Sequence, residues 1–191
     1  MGRSILEAAR ELFATQGPRK TTLEDIARRM GRTKTFVYHY FASKDDILRA
    51  LIETEGDEYE RELEVAVADE RTARGKLRAY VVARFRIFAR IGTFYSALRE
   101  RYYEQYAFIE KARRKYDAYE TESMAAILAE GSMRGELVVP DVKPIAHAIL
   151  VALKGYEIEW ATESRRSFEK SIDILLEVLF DGIAKDARRD A

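Results

Sequence analysis

The chain has 191 residues and three prolines, and none of the prolines lies between residues 19 and 139. Across that stretch the apolar residues recur at spacings of three and four, the face of an α-helix. No run alternates with the period of two that a half-buried strand needs. An all-α fold follows. Hydrophobic residues make up 47% of the chain, enough to bury a core and too many for a disordered segment. There is no cysteine, which excludes disulfides and cysteine-bound zinc. The absence of a leader or a long uncharged apolar run leads us to expect a cytoplasmic protein with no membrane partner.

The most closely specified stretch is Thr21 to Lys44. Leu23, Ile26, Ala27 and Met30 share one helical face. Thr21 with Glu24, or Thr22 with Asp25, supplies a hydroxyl cap and an acidic residue three places on. Gly31 is expected to end that helix, because glycine enters the left-handed conformation beyond a helix end without strain. Thr33 can then cap a short second helix, Lys34 to Tyr40, and Ser43 with Asp46 can cap a third.

Such an order is the helix-turn-helix, whose second helix lies in the DNA major groove. Here that helix offers Arg32, Thr33, Lys34, Thr35, Tyr38 and His39, while Val37 and Phe41 can face inward. Lys44 puts a cation in the first turn of a helix, opposed by the helix dipole by roughly 0.3–1 kcal/mol. A phosphate joining it would remove that penalty. The same residues also suit a solvated basic face on a small bundle. Charge is divided along the chain: residues 1–50 carry ten Lys/Arg and six Asp/Glu, and residues 51–191 carry 23 and 27. A basic head on an acidic body suits a polyanion partner, although the excess is modest.

Gly31 to Lys44, with Tyr38, Phe41, Ser43 and Lys44 in place, resembles the recognition region of the TetR family of bacterial transcriptional regulators. Ala8 to Gly17 and Thr21 to Ala27 resemble that family's first two helices. Thr35 stands where the family often has glycine, Phe36 where a small residue is common, and Tyr40 where histidine is frequent. The resemblance implies a three-helix DNA-binding head over residues 1–45 and an effector-binding and dimerisation domain over residues 46–191, with about nine helices in all. It implies phosphate contacts from Thr22, Tyr38, Tyr40 and Lys44. It also implies base or groove contacts from Arg32, Lys34, Thr35, Phe36 and His39, with Thr33 at the helix start. The implied partners are a double-stranded DNA operator with an inverted repeat, a small-molecule effector and a second copy of the chain.

Before the head's turn, residues 3–16 form a helix with Ile5, Leu6, Ala9, Leu12 and Phe13 on one face, ended by Gly17-Pro18. These residues, with Ile26, Val37, Phe41, Ile47 and Leu48, are the expected small core. A helix from 44 to 67 begins in the head and ends in the body, as a lever or as a plain connector. Helices are expected at 72–91, interrupted by Gly92, then at 94–103, and at 107–133 closing on Arg134-Gly135. Residues 85–119 gather nearly half of the aromatic side chains. Such a cluster can be packing, or a pocket in which tyrosines pair an apolar ring with an orienting hydroxyl. The resemblance places an effector among the middle helices, with Phe85, Phe88, Tyr95, Tyr102, Tyr103, Tyr106, Tyr119 and Tyr156 as candidate contacts.

From Ile145 to Trp160 the chain is apolar almost all round, and a helix without a polar face must be covered on both sides. Segments 142–162 and 167–185 therefore fit a dimer interface of four helices, or a cover for the core of a monomer. The two histidines, His39 and His147, lie in no metal or protease motif, and no phosphate loop or nucleophile elbow occurs. No catalytic residue, metal site or cofactor is expected. The function expected is a DNA-binding regulator, a repressor released by a small, largely apolar or aromatic effector. The alternatives are a DNA-binding scaffold without an effector, or a helical carrier or enzyme that shares only the head.

Overall fold

The computed structural model describes residues 2–102, 107–160 and 165–183. Among them lie eight helices and no strand: α1 Gly2–Lys20, α2 Leu23–Arg29, α3 Lys34–Tyr38, α4 Lys44–Ala68, α5 Ala73–Tyr102, α6 Ala107–Met133, α7 Val142–Trp160 and α8 Arg165–Ile183. The interruption expected at Gly92 is absent: that residue sits inside α5, and eight helices are described where about nine were expected. One interior glycine costs about 1 kcal/mol relative to alanine, which a helix of 30 residues tolerates. None of the described helices is long and apolar enough to cross a membrane.

The chain divides into two compact units. The first comprises Met1–Tyr59 and Phe88–Arg114. In it Ile5, Ala9, Phe13, Ile26, Val37, Ile47 and Leu48 are fully buried, the small core expected from their spacing. Phe41, Leu6 and Leu12 are half-buried at its edge. α1 is kinked at Gly17, whose φ of 79° stops the regular helix where the glycine–proline pair predicts; Pro18 to Lys20 add one more turn. The kink is tied down by buried Thr21, whose hydroxyl donates to the Gly17 carbonyl at 2.9 Å and accepts from Gln16 Nε2 at 3.2 Å. This engages Thr21, and Thr22 takes the helix cap. Ion pairs join α1 to α2 through Glu11 and Arg29, and α1 to α4 through Arg10 and the buried carboxylate of Glu55.

The second unit comprises Glu60–Ile87 and Lys115–Ala191. Leu63, Leu77, Tyr80, Val81, Met124, Leu128, Leu150 and Leu153 form its core. α6 ends where Arg134-Gly135 predicts: Gly135 has φ 71°, and the Glu136 and Leu137 amides both donate to the Gly131 carbonyl. Glu136 then accepts from the Ala73 amide at 2.7 Å and so satisfies the start of α5. Among the described residues α7 has one covered side and one exposed side, not the two covered sides expected. Ala146, Ile149, Leu150 and Leu153 are buried, while His147, Ala148, Val151 and Ala152 are exposed. α8 divides in the same way, with Ile172, Leu176 and Phe180 inside and Ile174 and Val178 outside.

Candidate functional site

The turn between α2 and α3 is built from local rules. Thr22 caps α2 reciprocally: its Oγ1 accepts from the Asp25 amide at 3.1 Å, and Asp25 Oδ2 accepts from the Thr22 amide at 2.9 Å and from its hydroxyl at 2.7 Å. At the far end Gly31 adopts φ 64°, and the Arg32 amide turns back onto the Ala27 carbonyl at 2.9 Å. Thr33 begins α3 with its Oγ1 accepting from the Phe36 amide at 3.3 Å. The regular helix stops at Tyr38, two residues short of the expected Tyr40. His39 and Tyr40 still follow a helical path, with amides bonded to the Thr35 and Val37 carbonyls.

Val37 is the single buried residue of α3. Arg32, Thr33, Lys34, Thr35, Tyr38, His39 and Tyr40 are exposed and Phe36 is half-buried. The exposed rings are ordered against one another. Phe36 and Tyr40 stand 5.3 Å apart, and His39 meets Tyr40 edge-on at 5.2 Å. Arg32 lies 5.4 Å from the Phe36 ring centre and Lys34 lies 5.5 Å from that of Tyr38. This face presents cations, hydroxyls and aromatic edges, the donor set used on phosphates and base edges.

Two side chains behave in ways their sequence positions do not reveal. Lys34 is paired with Glu24 on the preceding helix. The hydrogen bond from Lys34 holds the Glu24 carboxyl below its usual range and raises the lysine. Glu24 thus orients the cation at the start of α3, instead of serving the cap that the Thr21 spacing allows. Lys44 reaches away from its own helix end. Its Nζ donates to the Pro18 carbonyl at 2.6 Å and to the Thr21 carbonyl at 3.1 Å. Carbonyls at the end of α1 therefore answer the unfavourable position of this cation without any phosphate. Ser43 caps α4 with Asp46 as expected.

Of the candidate effector contacts, Phe85 is buried in the second unit, Tyr119 and Tyr156 are half-buried in the second unit, and Phe88 is half-buried in the first. Tyr103 and Tyr106, and the side chains of Tyr95 and Tyr102, lie outside the described residues.

A polar cluster lies in the second unit, on α5 and α6. Arg84 Nε meets Glu120 Oε2 at 2.5 Å, and both side chains are nearly inaccessible. One turn earlier on α5, Tyr80 is 2% exposed, with Ser123 beside its hydroxyl but no well-formed hydrogen bond to it. Burial, with the Glu120 carboxylate nearby, pushes the Tyr80 phenol far above its usual range, so it remains a neutral donor. The Tyr119 hydroxyl donates to the Glu60 carbonyl at 3.2 Å and lies 3.4 Å from Glu64 Oε1. The sequence window began at Phe85 and so missed Tyr80; its i, i+4 spacing to Arg84 was the available signal. Among the described residues no group of three or more His, Asp or Glu could hold a metal ion.

Residues 5–51 match the family model described as bacterial regulatory proteins, tetR family. The HTH-type transcriptional regulator YfiR of Bacillus subtilis (strain 168) is 40% identical over 60 residues, 31% of this chain and 29% of that protein's length. The fatty acid metabolism regulator protein of the same organism is 28% identical over 85 residues, 44% of each chain. The chain therefore matches well under two thirds of the length of these curated relatives. A solved regulator of the TetR/AcrR family from Thermobifida fusca superposes with a TM-score of 0.74 at 28% identity, over 95% of this chain and 97% of that one.

Proposed function

We propose that this chain, which belongs to the TetR family of bacterial regulatory proteins, is a cytoplasmic repressor that a small, largely apolar or aromatic effector releases from its operator. The observation that carries the proposal is α3. A five-residue helix buries Val37 alone and turns Lys34, Thr35, Tyr38, His39 and Tyr40 outward from a capped turn. A helix so short contributes little to a core, and its exposed side chains match what a major groove requires.

In this account residues 1–45 read DNA, and residues 46–191 bind effector and dimerise. Tyr38, Tyr40 and Thr22 contact phosphates. Lys44 adds to them the one N–H that its two carbonyl partners leave over. Arg32, Lys34, Thr35, Phe36 and His39 face the groove, and Lys34 must exchange Glu24 for its DNA acceptor. The exposed apolar faces of α7 and α8 support a homodimer on an inverted-repeat operator, because a second copy would cover them. Operator half-sites lie roughly 34–36 Å apart, or a multiple of that, so any effector that favours another spacing of the heads weakens binding. The effector must bind one spacing more tightly than the other, since equal affinity shifts nothing. α4 is the lever that carries the change.

The test is selection of bound genomic fragments followed by fluorescence anisotropy at two salt concentrations. A regulator gives sequence-selective binding with a steep salt slope. Equal affinity for all fragments, or none, would sink the proposal in favour of a carrier or enzyme that shares the head. Crosslinking the two heads at the DNA-competent spacing should abolish release by effector; release that survives would remove α4 as the lever.

A further inference from the structure

In the first unit, Glu24 of α2 and Lys34 of α3 form an ion pair across the turn, and both residues are exposed. Lys34 Nζ also lies 5.5 Å from the centre of the Tyr38 ring, which sets the ammonium between a carboxylate and an aromatic face. The other charges of the turn are engaged with different partners. Asp25 is taken up by the Thr22 cap and by Arg28, Arg29 by Glu11, and Arg32 lies over Phe36. Glu24 is thus the carboxylate that meets Lys34, and each holds the other in its charged form.

A lysine paired in this way is a poor phosphate ligand. Affinity for DNA of any sequence comes from cations that neutralise phosphates. If Lys34 leaves Glu24 for a phosphate oxygen, a carboxylate and a phosphate remain side by side where one neutral pair stood. A base edge carries no net charge. If Lys34 takes guanine O6 or N7 instead, Glu24 faces a neutral edge, on which amino groups of cytosine or adenine can donate to it. The carboxylate therefore opposes the contact that every sequence offers more than the contact that one sequence offers. Specificity is a difference of two affinities, and weakening the wrong complex widens it as much as strengthening the right one.

We infer that Glu24 is a specificity-determining residue of the DNA-binding head: it withholds Lys34 from the phosphates of random DNA and leaves it for a base acceptor in the operator. This rests on the DNA-reading function proposed above, and adds to it a residue that acts by repulsion.

The experiment is fluorescence anisotropy on the full chain over a range of salt concentrations, with the selected operator fragment and a random-sequence duplex of equal length. Glu24→Gln, Lys34→Met and the double variant are compared with the unaltered chain. Exposed ion pairs contribute little to stability, so the variants remain folded. Glu24→Gln should bind random DNA about two- to fivefold more tightly, the strength of one exposed pair. Its salt slope on random DNA should steepen by about one, because Lys34 becomes a phosphate contact. The gain on the operator should be smaller, so the ratio of the two affinities falls. In the Lys34→Met background the same substitution should lose most of its effect on random DNA, because the carboxylate acts through that lysine. A gain that persists undiminished without Lys34 is a general charge effect and overturns the inference. A ratio that Glu24→Gln leaves unchanged overturns it as well, and both results leave the regulator function standing. Equal binding of the two duplexes by the unaltered chain, or none, removes the regulator function and this inference together.

Discussion

At the scale of single residues, the turn rests on a glycine, a lysine and a capping pair. Gly31 has φ 64° and open space where a Cβ would stand, so Gly31→Ala is penalised by backbone conformation alone. We expect a loss of roughly 1–2 kcal/mol in urea denaturation. Lys44→Met removes the bonds to the Pro18 and Thr21 carbonyls and should cost about 1–3 kcal/mol in DNA-free protein. If unfolding of the free variant matched wild type while DNA affinity dropped, its role would be in phosphate binding alone. The acidic residues of α2 make the head sensitive to acid. Glu24 and Asp25 are both held below their ordinary values, by Lys34 and by the Thr22 cap respectively. A depressed carboxyl contributes stability above its unfolded pKa and loses it as pH falls through the folded one. The loss should therefore begin below about pH 4.5, the ordinary glutamate value, and deepen with further acid. Asp25→Asn should flatten that acid limb of a melting-temperature profile; an unchanged limb would mean that the cap carries no part of it.

At the scale of elements, α3 separates one buried residue from an exposed face. Val37 is fully buried, so Val37→Ala should destabilise the head by roughly 2 kcal/mol and weaken DNA binding as a consequence. His39 is exposed, and His39→Ala should leave the melting temperature within error. It should lower affinity for the selected operator by about 1–3 kcal/mol if it reads a base, and affect random DNA little. Equal effects of the two substitutions on stability would mean that α3 is not presented outward. The elements also show how far sequence reaches. The cap of α2, the stop at Gly31, the cap of α4 and the Gly17 break were all legible, because each depends on residues within four positions of one another. Gly92 misled, since a glycine is compatible with a helix when both flanks favour one.

At the scale of the molecule, the apolar side chains exposed on α7 and α8 make the proposed dimer testable. Val151 and Val178 are more than half exposed on α7 and α8. Val151→Glu with Val178→Glu should leave the helical content and the fold of the single chain intact. If the proposed dimer uses these faces, the double variant should be monomeric in light scattering and should bind the proposed operator more weakly, because one head lacks the second set of phosphate contacts. A double variant that remains dimeric would place the interface elsewhere.

The amino-acid sequence determined by itself that this protein is helical, where its helix-turn-helix falls and which small core supports it. All of these follow from contacts at short separation and from the helical period. The tertiary structure alone decided where long side chains go: Lys44 to the end of α1, Lys34 to Glu24, and Arg84 to Glu120 across 36 positions of chain. A charged side chain several bonds long reaches partners on several neighbouring helices. The choice among them is made by how the helices pack, which no local pattern encodes.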